Sequence, residues 1–236
     1  MSIKLTVGML HAQFEASRRE SVERMVKKIG VTNLRDHWAD FEIFGDFYAR
    51  GIWWNAKRAW QWGASHRVNT HHMVIQDDLI LCDNFAEAVV SVVGEVPDKM
   101  VSLFYGPRKG FKDNSGRWGV AESPWGQAIV MPKKMVQDFL AWDAKNIKPT
   151  LKYDDARIAL FCVKNSIHCH VPFPNLVNHL DDTSTVGNCR NGRRVSIDFL
   201  GDRDHKDFDW SDKSNPRKAM QSLTRYYKYL VNENIS

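Results

Sequence analysis

The segment "HMVIQDDLILC", residues 72–82, decides the fold, because an apolar stretch runs directly into two adjacent aspartates. Charged residues rarely stand inside such a run without a reason. Upstream, the stretches 3–10 and 41–47 have the composition of strands. Helical periodicity over 17–30 and 52–65 separates these strands. Such alternation of strands and helices predicts an α/β protein with a mostly parallel sheet.

The two aspartates, Asp77 and Asp78, follow the apolar half of this segment. In open α/β sheets, ligands bind beyond the carboxyl ends of the strands. A carboxylate pair at such an end can hold Mg²⁺ or Mn²⁺, which prefer oxygen ligands. The same pair can instead form a turn or cap a helix. The dipeptide alone leaves both interpretations open.

The remainder of the chain divides at about residue 210. From 211 the composition changes, and Asn215 followed by Pro216 is a good start for a helix. We expect one α/β domain over 1–210 and a basic amphipathic helix over 211–236 that packs on it. Inside the domain we expect helices over 86–96, 133–146 and 153–165, and strands over 100–106 and 126–132.

Composition limits the class of protein. With 236 residues and 43% hydrophobic content, the chain can bury a sizeable core. No apolar run reaches the ~18 residues of a membrane span, and the N-terminus lacks the layout of a secretory signal. The net charge of +5 weakly favours an anionic partner. The cysteines form no CxxC pair, which indicates reduced thiols in the cytoplasm: Cys82, Cys162, Cys169 and Cys189.

Several segments resemble the motifs of GT-A glycosyltransferases. "HHMVIQDDLILCDNF" (71–85) resembles their metal-binding acidic motif, with Gln76 in place of its first acid. Four further segments resemble the family's arginine-bearing first helix, acceptor-side loop, xED motif and late metal-binding histidine segment. They are, in order, "SRRESVERM" (17–25), "PWGQAIVMPK" (124–133), "KYDDARI" (152–158) and "VPFPNLVNHLDDTSTVG" (171–187). The resemblance covers roughly residues 3 to 210 and implies a GT-A-like, Rossmann-like fold.

The resemblance implies a metal site for Mn²⁺ or Mg²⁺. Asp78 would be a direct ligand, and His179 would bind the ion from the other side. Gln76 and Asp77 would lie on the donor side, with Asp77 near the ribose or a metal-bound water. A divalent cation there would act as a Lewis acid on the departing nucleoside diphosphate of a nucleotide sugar, expected to be a UDP sugar. The plain alternative makes His179 a surface or capping histidine.

The resemblance also implies a general base and an acceptor side. Asp155 would take the proton of the attacking hydroxyl in an inverting enzyme. In a retaining enzyme Asp155 would bind sugar instead, and the sequence does not decide between the two. Its neighbour Asp154 would lie on the acceptor side with Trp125, Gly126 and Gln127. Alternatively, both acids only cap a helix.

The base and ribose of the donor are expected over the end of the first strand. Met9, His11 and Arg19 are the candidates there, with Arg19 pairing a phosphate. Alternatively, Arg18 and Arg19 belong to a solvated helix face.

Basic segments suggest a nucleic-acid acceptor. The loop 107–117, the sequence "RNGRR" (190–194) and the tail helix carry Lys and Arg of the kind that contact phosphates. The chain is similar to bacteriophage enzymes that glycosylate hydroxymethylated pyrimidines in double-stranded DNA, in the host cytoplasm. Such a hexosyl- or pentosyltransferase must flip its target base, on which Trp125 or Trp118 could stack.

Three alternatives to a DNA acceptor stay open. The charge can be ordinary solvated surface. The same catalytic core can serve a cytoplasmic glycosyltransferase that builds lipopolysaccharide or another surface glycan, with a basic surface facing an anionic membrane. The chain can also be a binding module that keeps the fold without turnover.

Overall fold

The computed structural model describes residues 2–30, 37–106, 116–180 and 195–218 together with Ile235. Its strands are β1 Leu5–His11, β2 Trp38–Gly45, β3 His71–Gln76, β4 Leu79–Leu81, β5 Met100–Ser102, β6 Trp118–Ala121, β7 Ala128–Pro132, β8 Cys169–Pro172, β9 Val177–His179 and β10 Arg217–Lys218. Its helices are α1 Arg18–Gly30, α2 Ile52–Ser65, α3 Phe85–Glu95, α4 Lys133–Asn146 and α5 Asp154–Lys164, with a 3₁₀ turn at His205–Asp207.

Within these residues, eight strands form one sheet in the order β10-β6-β8-β5-β7-β3-β1-β2. Parallel pairs join β1 to β2 and β3, β5 to β8, and β6 to β10, whereas antiparallel pairs join β7 to β3 and β5, and β6 to β8. The predicted α/β class with a mostly parallel sheet is confirmed. As a result, the carboxyl ends of β1, β2, β3, β5 and β8 and the start of β7 meet at one edge of the sheet.

Helices cover both faces of the sheet. Val7 and Met9 of β1 belong to a buried cluster that includes residues of α1 and α3. Leu10, next along the same strand, belongs to a second cluster with residues of α2, α4 and α5. Because successive strand residues point to opposite faces, this alternation places a hydrophobic layer on each side of the sheet.

Most predicted elements are present with nearly the expected bounds. The predicted bounds of α2 and α4 match the structure, and those of α3 and α5 differ by one residue at each end. The segment 72–82 differs, because β3 ends at Gln76 and β4 begins at Leu79. Asp77 and Asp78 therefore occupy a turn between two strands that belong to different sheets.

The tail does not begin as predicted. Asn215 has a left-handed φ of 49°, and Arg217–Lys218 forms β10, so no helix starts at Asn215–Pro216. The side chain of Arg217 explains the difference: its Nε donates to the carbonyl of Gly116 (2.6 Å), and its guanidinium lies 4.0 Å from the ring centroid of Phe173. Residues 219–234 of the predicted helix lie outside the described residues.

In the part of the chain that the structure describes, every helix is too short or too polar to cross a bilayer.

Candidate active site

The register of the small β4–β9 sheet brings Asp78 and His179 together. Leu79 pairs with His179, and the backbone N–H of Leu180 donates to the carbonyl of Asp78 (2.8 Å). The side chains meet at 3.1 Å between His179 Nε2 and Asp78 Oδ2. Both residues are buried. His179, the predicted metal-binding histidine, lies far downstream in the sequence and contacts Asp78 directly in the structure.

The environment of His179 determines which ring nitrogen faces the aspartate. Its Nδ1 contacts the carbonyl oxygen of Leu180, which can only accept, so Nδ1 carries a proton. In the neutral imidazole, Nε2 then presents a lone pair to the carboxylate of Asp78. The imidazole of His179 and the carboxylate of Asp78 therefore lie within hydrogen-bonding distance of each other.

The first aspartate is held by the loop after β1. One oxygen of Asp77, Oδ2, lies 2.9 Å from His11 Nδ1 and accepts the backbone N–H of Ala12 at 2.7 Å. Because β1 and β3 are parallel neighbours, their carboxyl ends place this loop directly over the acidic turn. His11, predicted on the donor side, is therefore part of the same group of side chains.

A buried arginine that the sequence analysis did not select compensates both aspartates. Arg18 Nη1 lies 2.8 Å from Asp78 Oδ2 and 3.9 Å from Asp77 Oδ1, and Arg18 is 2% exposed. Arg18 is the first residue of α1, where the helix dipole disfavours a positive charge. Its position is explained by the carboxylates. We call the group His11, Arg18, Asp77, Asp78 and His179 the acid cluster.

Two predicted donor-side residues lie outside the acid cluster. Arg19 is exposed on α1, so the arginine that faces the acids is its neighbour Arg18. Helical spacing predicts that Arg18 faces inward, because it precedes the core residue Val22 by four positions and shares its helix face. Met9 is fully buried in the core, because it lies on the inward face of β1.

Asp78 and His179 offer part of a ligand set for a divalent cation. Asp78 Oδ1 is buried and has no hydrogen-bond partner among the described residues. Together with His179 Nε2, it offers one oxygen and one nitrogen of the types that Mn²⁺ accepts. In the described ranges, no group of three or more His, Cys, Asp or Glu side chains is arranged to hold a metal. A third side chain of these types is therefore not arranged beside Asp78 and His179 among the described residues.

The acceptor-side segment approaches the acidic turn through a glycine. A Cβ added to Gly126 would lie 3.1 Å from the Cβ of Asp155 and 3.4 Å from Gln76 Nε2. The backbone N–H of Gln76 donates to the carbonyl of Gln127 at 2.9 Å. Gln76, Gly126, Gln127 and Asp155 therefore lie together, next to the turn that begins at Asp77.

The two acids at the start of α5 differ in environment. Asp155 is exposed and accepts the backbone N–H of Ala156 at 2.7 Å. Asp154 is 4% exposed, and its burial together with the charge of Asp155 raises the pKa of Asp154 to about 7. The carboxylate that a hydroxyl from solvent could reach is therefore Asp155.

Aromatic rings connect the acceptor side to the acid cluster. The rings of Trp125 and Phe104 are 5.6 Å apart, and those of Phe104 and His179 are 6.4 Å apart. Trp118, the other ring considered for stacking on a base, is 2% exposed and donates Nε1–H to the carbonyl of Trp210 (2.9 Å). That suggestion for Trp118 is wrong, because the ring is part of the core.

The predicted basic segments fall mainly outside the described residues. Residues 107–115, 190–194 and 219–234 are among them. Arg117, at the end of the first segment, lies 5.1 Å from the ring centroid of Phe208. The predicted contacts of these segments with nucleic acid stay predictions.

No family model and no curated protein matches the chain. Among solved structures, it is similar to A197 from STIV, with 11% identity, a TM-score of 0.47, and coverage of 77% of this chain and 87% of that chain. It is also similar to the catalytic domain of Drosophila β1,4-galactosyltransferase 7 in complex with xylobiose, with 10% identity, a TM-score of 0.49, and coverage of 87% and 79%. Since both scores lie below 0.5, the function proposed below rests on the chain's own residues.

Proposed function

We propose that this protein is a metal-dependent GT-A-type glycosyltransferase that moves a sugar from a nucleotide-sugar donor, a UDP sugar, to a hydroxyl acceptor. One observation carries the proposal: Asp78 and His179 are distant in sequence and meet at 3.1 Å, in the segments where the chain resembles that family's metal-binding motifs. Their meeting at the edge where the strands end is what a donor site of this class requires.

The acid cluster would bind the donor's diphosphate end. Asp78 and His179 would hold Mn²⁺ or Mg²⁺, which supplies Lewis-acid stabilisation of the negative charge on the leaving diphosphate when it is bound. Arg18 adds a fixed positive charge at the same place. His11 orients Asp77, whose other oxygen remains directed towards Arg18. Gln76 adjoins the acceptor segment and would face the donor sugar.

Asp155 would act as the general base on the acceptor hydroxyl. It is exposed, it lies at the start of α5, and Gly126, which has no side chain, lies against both Asp155 and Gln76. A positioned carboxylate of this kind typically contributes about 10²–10⁴-fold to the rate. Trp125, Gln127 and the neighbouring Asp154 would border the acceptor.

For the acceptor, we propose a hydroxymethylated pyrimidine in double-stranded DNA. The positive net charge and the basic segments named above support this choice. An enzyme acting on such a base must extrude it from the duplex, and the partly buried ring of Trp125 is available to stack on it.

The direct test measures donor binding and transfer separately. Melting temperatures are recorded with UDP and GDP sugars, each with and without Mn²⁺, and transfer is then measured to hydroxymethylated and to unmodified duplex DNA. A ligand at 100 times its Kd stabilises by ~2.7 kcal/mol, which is readily seen. We expect a shift that requires both Mn²⁺ and a UDP sugar, and transfer to hydroxymethylated DNA alone.

Matched variants assign the roles. Asp155→Asn should lower transfer by about 10²–10⁴-fold while keeping the donor-induced shift. Asp138 is an exposed aspartate on α4, so Asp138→Asn should change neither the rate of transfer nor the donor-induced shift in melting temperature. No shift with any nucleotide sugar would overturn the glycosyltransferase proposal. A donor-dependent shift without transfer to DNA, but with transfer to a lipid-linked glycan, would overturn only the DNA acceptor.

A further inference from the structure

A cavity of about 490 Å³ lies between the start of α2 and the loop before α5. Its lining includes the cations Arg50, Lys57, Arg58 and Lys152, and none of the described lining residues is an aspartate or glutamate. None of these four cations forms an ion pair with another described residue. Lys57 acts electrostatically on the carboxyl of Asp143, so the protein compensates its charge in part. The four cations together still give the cavity an excess of positive charge, which suits a ligand with several negative charges.

A tryptophan organises two of these cations. The guanidinium of Arg50 lies 4.8 Å from the ring centroid of Trp54, and that of Arg58 lies 4.6 Å from it. Trp54 and Arg58 are four residues apart on one face of α2, and Arg50 lies in the loop that precedes the helix. Arg58 is further fixed by hydrogen bonds from Nη1 to the carbonyl of Gly45 (3.2 Å) and to Asn55 Oδ1 (3.3 Å).

The loop that carries Arg50 is folded around a buried carboxylate. Asp46 accepts the backbone N–H groups of Tyr48 and Arg50, each at 3.1 Å, and of Gly51 at 3.2 Å. Gly51 has a φ of 110°, which favours glycine. The loop is therefore pre-formed, and it presents its side chains without needing a ligand to order it.

The same loop exposes large aromatic side chains. Phe47 is 67% exposed and Tyr48 is 78% exposed, and the guanidinium of Arg50 lies 5.4 Å from the ring centroid of Tyr48. Cations interleaved with exposed rings are the arrangement that binds single-stranded nucleic acid, with the phosphates on the cations and the bases stacked on the rings.

We propose that this surface, formed by Tyr48, Arg50, Trp54, Lys57, Arg58 and Lys152, binds an unpaired stretch of a polynucleotide. An anionic lipid surface would also attract the cations. However, two guanidinium groups held around one ring in a cavity favour a ligand that offers phosphates and flat bases together. We call it the strand site.

The strand site is connected to the candidate active site through two elements. The backbone N–H of Asp46, which starts the loop, donates to the carbonyl of His11 at 2.9 Å. Lys152 precedes Asp155 by three residues, and its carbonyl accepts the N–H of Trp53 at 3.1 Å. The inference deepens the proposed function, on which it rests for the role of the strand: the site would hold DNA opened next to the flipped base.

The experiment measures fluorescence anisotropy of a labelled thymidine oligonucleotide of about 20 nucleotides, without metal or donor, in about 50 and 200 mM salt. With four cations on phosphates, log K should fall with log salt at a slope of about −3, a loss of roughly 50-fold over that range. Binding of a duplex of the same length should depend less on Arg50 and Arg58, because its bases do not expose their faces. Since no nucleotide sugar is present, this result can fail or succeed independently of donor binding.

Variants separate charge from stacking. Arg50→Ala/Arg58→Ala should weaken binding about tenfold or more and halve the salt slope. Arg50→Lys/Arg58→Lys should keep the slope and lose only about two- to fivefold, the contribution of guanidinium stacking. Arg24→Ala/Lys164→Ala, which removes two exposed cations elsewhere, should bind within about twofold of the wild type.

Three outcomes would overturn the strand site. One is equal loss in the Arg50/Arg58 and Arg24/Lys164 variants, which would indicate diffuse charge. Another is a loss of duplex binding in Arg50→Ala/Arg58→Ala as large as its loss of single-strand binding. The third is tight binding to vesicles of phosphatidylserine and phosphatidylcholine, lost in Arg50→Ala/Arg58→Ala, without binding of the oligonucleotide.

Discussion

Arg18 and Arg58 represent two ways in which this protein uses a cation. Arg18 is buried in the acid cluster, with a carboxylate oxygen at 2.8 Å. Arg58 is exposed at the strand site, where its neighbours are a ring, a carbonyl and an amide oxygen. Burial forces charge compensation inside the protein, whereas an exposed cation can leave compensation to a ligand. The two regions should therefore respond in opposite ways to loss of a cation.

The largest effect is expected for Arg18→Ala. The substitution leaves the buried carboxylates of Asp77 and Asp78 without their guanidinium, which should cost about 3–5 kcal/mol of unfolding free energy. Urea denaturation measures this loss. Arg19→Ala is the matched control, and because Arg19 is exposed it should stay within about 0.5 kcal/mol of the wild type.

A second readout keeps the Arg18 prediction testable if the variant is barely stable. Mn²⁺ should raise the melting temperature of Arg18→Ala more than that of the wild type, because the ion can compensate the carboxylates that Arg18 leaves. Equal losses for Arg18→Ala and Arg19→Ala would contradict the assignment of Arg18 to the acid cluster.

A smaller, pH-dependent effect is expected at Asp154, a buried acid whose neighbour Asp155 carries a charge of the same sign. Its pKa is raised to about 7 in the folded protein, from an ordinary value of 3.8. The folded state then binds more protons between these values, so this carboxyl lowers stability as the pH rises from about 4 to 7.

Asn cannot ionise, so Asp154→Asn should be more stable than the wild type at pH 8, by about 1–4 kcal/mol. The difference should shrink towards zero near pH 4, and melting temperatures across this range measure it. Asp138→Asn, at an exposed position, should shift stability by less than about 0.5 kcal/mol at both ends. A stabilisation by Asp154→Asn that is the same at pH 4 and pH 8 would contradict the raised pKa.

The elements that the sequence predicts well are those whose signal is local. Helices α2 and α4 have apolar residues at helical spacing and clear ends, so their bounds follow from periodicity alone. The predicted start of the tail helix is wrong because the conformation of Asn215–Lys218 depends on a distant contact. The pairing of Arg217 with Gly116 and Phe173 is stronger than the helix-start signal of Asn215 and Pro216.

The candidate site divides in the same way. Asp77 and Asp78 are visible from the sequence because charges interrupt an apolar run, and His179 was selected only through resemblance, since its partner lies in another part of the chain. Arg18 was discoverable from the periodicity of α1. The strand site was not, because Trp54 lies in a tryptophan-rich segment typical of a core, and only the loop folded by Asp46 brings Arg50 to its ring.

The smallest effect on stability is expected for the variant that loses both arginines of the strand site. Arg50→Ala/Arg58→Ala removes two cations, twice the charge of Arg18→Ala, yet no described carboxylate is left buried and unpaired. The variant loses exposed stacking on Trp54 and the hydrogen bonds of Arg58. We therefore expect the unfolding free energy, measured by urea denaturation, to fall by less than about 1 kcal/mol. At low salt the variant should gain stability if the four cations repel one another. A loss near that of Arg18→Ala would mean that these arginines hold the fold together. The strand site would then be a structural feature, and weakened oligonucleotide binding by the variant would have to be ascribed to misfolding.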